Sequence, residues 1–72
     1  MSYSVVIQPA PEGGFWAFAP NLPGCLSQGE TLEETMSNVK DAIVGYLAVL
    51  AEDGETIPDE SGEPIFTRVT LP

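Results

Sequence analysis

The chain has 72 residues, and its eleven carboxylates face only Lys40 and Arg68, for a formal net charge of −9. That length holds one domain, taken as residues 1–72 with no separate DNA-binding domain, and two cations cannot neutralise a nucleic-acid backbone, so no nucleic acid is expected as a direct partner of this chain. The absence of histidine excludes mechanisms that need an imidazole base and every histidine-ligated metal site.

Residues 3–8 are rich in β-branched side chains and stop at Pro9, which reads as a first strand. Gly13 and Gly14 close a turn, and residues 15–19 form the return strand. Pro20 and Pro23 then fix φ and hold their predecessors extended, and Gly24 permits a sharp reversal before Cys25. Cys25 is the lone cysteine, so it cannot form a disulfide within the chain. A reduced, packed thiol in the cytoplasm is expected, with no base beside it to make it a nucleophile. The first residues also lack the basic segment and apolar run of a signal peptide.

Residues 26–28 read as a short third strand. Thr31 and Glu34 then stand at capping-box spacing ahead of an amphipathic segment. Leu32, Met36, Val39, Ile43, Leu47 and Leu50 fall on one helical face, widened by Ala42, Tyr46 and Val49. The helix is expected over residues 32–53 with Gly54 beyond its last turn. Its apolar run, residues 42–51, is far below the roughly 20 residues of a membrane span, so no membrane partner is expected. Residues 56–64 read as a loop, and residues 65–71 alternate as a half-buried final strand. The fold class is therefore α+β, in the order β-β-β-α-β. An antiparallel three-stranded meander carries a helix on one face, and the last strand runs parallel to the first.

Alternation places Tyr3, Val5 and Ile7 on one sheet face with Phe15, Ala17 and Ala19, and Val6, Trp16 and Phe18 on the other. One helix covers only one face. An indole and a phenyl on the second face need a cover, which makes Trp16, Phe18 and Val6 the candidate interface of a homo-oligomer, most simply a two-fold dimer. The alternatives are that the faces are reversed or that the C-terminal residues fold over these rings. Residues 65–71 are a second candidate for an edge contact.

The carboxylates form three groups. Glu30, Glu33 and Glu34 surround the helix N-terminus, where the dipole favours them and stability explains them. Glu52, Asp53 and Glu55 crowd the opposite end, tolerated either by solvation or by a cationic partner. Asp59, Glu60 and Glu63 lie in the Pro-Gly loop with a spacing that fits no calcium loop. These last six are the candidate steering charges for a basic partner. No metal, cofactor or catalytic residue is assigned, and the chain is not read as an enzyme.

The Gly13-Gly14-Phe15-Trp16 strand start, the Pro20-Asn21-Leu22-Pro23-Gly24-Cys25 turn and the Gly29-Glu30-Thr31-Leu32-Glu33-Glu34-Thr35 helix opening together resemble the HicB-like antitoxin family. The likeness runs from Tyr3 to about Pro58, and Asn21 stands where the family usually has an acid. The resemblance implies a partial RNase H-like fold. A complete nuclease of that kind needs an Asp within the first strand, and residues 3–8 contain no acid, so no nuclease activity comes with it. It also implies a partner, a small basic HicA-like ribonuclease that the chain would bind and neutralise. The alternative is a solitary self-associating module that serves as a subunit or scaffold without a toxin.

Overall fold

Two reversals of backbone direction shape the sheet. The computed structural model describes residues 2–58 and residue 70. Its elements are β1 (Val6–Pro9), β2 (Phe15–Phe18), β3 (Leu26–Gly29) and α1 (Leu32–Glu52), an α+β arrangement with strand order β1-β2-β3 and both pairings antiparallel. At the first reversal Gly13 donates to the Ala10 carbonyl and Ala10 to the Gly14 carbonyl, both at 3.0 Å. At the second, Leu22 donates to Ala19 at 3.0 Å and Cys25 to Leu22 at 2.9 Å. Gly24 has φ +84°, a left-handed conformation that a β-carbon resists.

The first strand begins three residues later than the sequence suggests. Beyond Phe18 the second strand enters the reversal at residues 20–24, so residues 3–5 have no strand opposite them. Pro9 closes β1 opposite Phe15, a terminal position where a missing N–H is tolerated. Apart from Thr70, the expected final strand at residues 65–71 lies outside the described residues.

Both helix caps form as physical chemistry requires. The Thr31 hydroxyl accepts from the Glu34 N–H at 3.1 Å, with Thr31 extended at φ −121°. At the other end Gly54, φ +70°, donates to Ala51 at 3.2 Å and Glu55 donates to Leu50 at 3.0 Å, the paired bonds of a Schellman cap. The helix ends at Glu52, one residue short of the expected 53, and Asp53 is its C-terminal cap residue.

The backbone of the helix lies against β2 and β3 rather than β1. Val39, Ala42, Ile43, Tyr46 and Leu47 of the expected face do pack inward, but at the first turns of α1 the buried position shifts. Thr35 and Val39 are buried, while Leu32 is 49% and Met36 55% exposed. The cause is the close approach of α1 to Gly29, where an added β-carbon would lie 2.7 Å from the Thr35 nitrogen. Only a small side chain fits there, and the Thr35 hydroxyl satisfies itself on the Thr31 carbonyl at 2.7 Å. Ala19, Leu22 and Cys25 form the buried cluster, with Tyr3, Ala42, Ile43, Tyr46 and Leu47 packed against it. Gly45 has open space around it within the helix. Gly45→Ala should therefore raise stability by about 0.5–1 kcal/mol, read as a higher urea midpoint with unchanged slope.

Candidate interaction site

The reversal at residues 20–25 locks the sheet to the helix. Leu22 is fully buried, and the Pro23 carbonyl accepts from the Tyr46 hydroxyl at 2.9 Å. The Asn38 amide donates to the Gln28 carbonyl at 2.8 Å, a second tie between α1 and β3. Pro20, Pro23 and Gly24 lie at the surface around this core, and Cys25 is buried within it. Burial pushes the Cys25 thiol above its ordinary range, which holds it neutral. A thiol-reactive dye should label Cys25 far more slowly in the native protein than in denaturant; equal rates would place the thiol at the surface.

Register sorts the strand side chains onto two faces. Ile7, Ala17 and Ser27 align across the sheet toward α1, with Ala17 fully buried. Val6, Phe18 and Leu26 align on the opposite face, as do Gln8, Trp16 and Gln28. Trp16 and Phe18 stack with ring centroids 5.7 Å apart, Trp16 is 37% exposed and Leu26 63%. The structure thus brings Val6, Trp16 and Phe18 together on the helix-free face. Sequence reading missed Leu26, whose partner across the ladder is Phe18. The third-strand register was the signal that would have found it.

A second apolar surface lies at the β1 side of the molecule. Val5, Ile7, Met36, Ile43, Val44 and Leu47 line an open groove of about 430 Å³ between the first strand and the helix. Tyr3 also borders it and donates its hydroxyl to the Pro58 carbonyl, which brings residue 58 back beside the start of the chain.

Glu52, Asp53 and Glu55 are exposed together at the C-terminal end of α1, where the last turn holds no basic residue. Asp59, Glu60 and Glu63 lie outside the described residues. Among the described residues no group of His, Cys, Asp or Glu is arranged to hold a metal, and no helix is long and apolar enough to cross a membrane.

Capped helix, short meander and two apolar surfaces define a small α+β module. Residues 3–66 match the family described as "HicB_like antitoxin of bacterial toxin-antitoxin system", and the chain belongs to that family. The family is one of antitoxins, not of enzymes. The chain is 38% identical to UPF0150 protein Ta0767 of Thermoplasma acidophilum, over 90% of this chain and 94% of that protein. It is 43% identical to antitoxin HicB of Escherichia coli K12 over 81% of this chain, but spans only 42% of that longer protein. Its fold is similar to a chain of a solved HicA3 and HicB3 toxin-antitoxin complex, with a TM-score of 0.72 and 26% identity, covering 89% of this chain and 73% of that one.

Proposed function

We propose that this chain binds and neutralises a small basic HicA-like ribonuclease in the cytoplasm. The observation that carries the reading is the match of residues 3–66 to an antitoxin family. The likeness to a chain solved within a toxin–antitoxin complex supports a toxin as the partner.

Charge supports the basic character of that partner. Glu52, Asp53 and Glu55 stand exposed where the helix dipole disfavours them, and by sequence Asp59, Glu60 and Glu63 follow close behind. Such a cluster attracts cations over several ångströms and speeds encounter, while the bound state rests on a smaller desolvated patch.

Stopped-flow association with the product of the adjacent reading frame, expected to be a basic protein, tests this. The on-rate should fall steeply as salt rises, with a much smaller change in off-rate. Reversing Glu52, Asp53 and Glu55 to Lys should slow association at low salt. An on-rate indifferent to salt would remove the steering role of these acids. The isolated chain should leave RNA intact and fail to retard duplex DNA at physiological salt, since its net charge of −9 repels phosphate. Metal-dependent cleavage lost on mutation of its acids would contradict that.

A further inference from the structure

Charge divides the two apolar surfaces of the molecule. No residue of β1, β2 or β3 carries a charge, so the helix-free sheet face offers a cation nothing to pair with. The groove between the first strand and α1 is bordered differently. Glu33, Met36, Lys40, Val44 and Leu47 follow one another at steps of three and four along α1 and so share one stripe of the helix. Met36, Lys40, Val44 and Leu47 of that stripe line the groove, and the exposed Glu33 stands at its N-terminal end. At the other end Glu52 lies about 7–8 Å beyond Leu47 along the helix axis, with Asp53 and Glu55 next. The Tyr3 bond to the Pro58 carbonyl holds residue 58 at the border of the groove, and Asp59 and Glu60 follow it in sequence. Lys40 is the exception. Its stem extends the apolar wall, and its exposed ammonium suits an acceptor rather than a cation.

We infer that this groove is the docking surface for the basic partner of the antitoxin reading, on which the inference rests. An amphipathic segment of that partner seats an apolar side chain between Ile7, Met36 and Val44. Its lysines or arginines reach the acids at the ends of the stripe, and an acceptor group meets Lys40. The volume of about 430 Å³ falls within the roughly 300–1,000 Å³ of clefts that enclose a ligand, enough for one or two large side chains. A dry apolar centre inside a charged rim is also the arrangement in which a few buried contacts hold a complex while the rim steers it.

Three residues of matched exposure separate the two surfaces. Met36 and Val44 line the groove and are 55% and 62% exposed, while Leu26, 63% exposed, lies on the helix-free face. Met36→Arg, Val44→Arg and Leu26→Arg each add the same charge, so any loss of long-range steering is shared and a local clash is not. Surface plasmon resonance reads the binding of each variant, and of the unaltered chain, to the product of the adjacent reading frame. Met36→Arg and Val44→Arg should each weaken binding by about tenfold or more, chiefly through faster dissociation, and Leu26→Arg by no more than about threefold. All three should keep the circular dichroism and melting temperature of the unaltered chain, and if one groove variant unfolds the other carries the test. Loss confined to Leu26→Arg would move the partner to the helix-free face, and equal small losses would remove the groove from the contact. Either result overturns the inference. So do groove variants that bind normally but melt lower or change the mass of the free chain, which would give the groove to the chain's own residues beyond Pro58 or to a second copy. An unaltered chain that fails to bind overturns the antitoxin reading itself, whereas normal binding by all three variants overturns only the docking surface.

Discussion

Leu22→Ala should lower the stability of the protein by about 2–5 kcal/mol, the range found when a large buried side chain is cut to a methyl group. Leu22 is fully buried at the centre of the cluster with Ala19 and Cys25, beneath Ile43, Tyr46 and Leu47. Its neighbours cannot easily close the space, because two backbone hydrogen bonds of the 20–25 reversal begin and end on Leu22 itself. A domain of this size is stable by only about 0.05–0.15 kcal/mol per residue, so the loss is a large share of the total. In a domain this small each kcal/mol moves the melting temperature by roughly 4–8 °C, and thermal unfolding should show a drop of at least 8 °C. An unchanged melt would mean that Leu22 does not hold the reversal against the helix.

Gly29→Ala should be the second damaging change, although it adds a single methyl group. An ideal β-carbon there lies 2.7 Å from the Thr35 nitrogen, 2.7 Å from its hydroxyl oxygen and 3.0 Å from its Cα. Two of those atoms are backbone at the start of α1, held by the Thr35 N–H bond to Thr31 at 2.9 Å, so no side chain can swing aside. The helix must lift from β3 or the cap must open. Overpacking of this kind costs about 1–3 kcal/mol. The contrast with Gly45→Ala makes the pair diagnostic, since one glycine faces backbone and the other open space. Urea titration should move the two midpoints in opposite directions, and a harmless Gly29→Ala would deny the close helix–strand approach.

Local features of the fold were readable from single residues. Thr31 and Glu34 announced the cap, Gly54 the helix end, and the paired prolines with Gly24 the reversal. Each depends on backbone chemistry within a few positions. The buried face of the helix was less legible, because periodicity ranks Leu32 and Met36 above Thr35 and cannot see Gly29 arriving from another element. Leu22 was overlooked for a similar reason: a leucine between prolines reads as part of a turn, and only the tertiary fold folds it inward. Of the candidate site, alternation placed Val6, Trp16 and Phe18 on one face, and Leu26 needed the β2–β3 register. The acids at the end of α1 could be counted but not weighed, because a solvated cluster and a steering cluster share one sequence.

The measurement that tests the antitoxin reading most directly is a titration of this chain into an RNA-degradation assay of the product of the adjacent reading frame. Cleavage should fall linearly with added chain and stop at a fixed stoichiometry, and the two proteins should co-elute as an inactive complex. Undiminished cleavage in molar excess of correctly folded chain would contradict the account and leave a solitary self-associating module in its place.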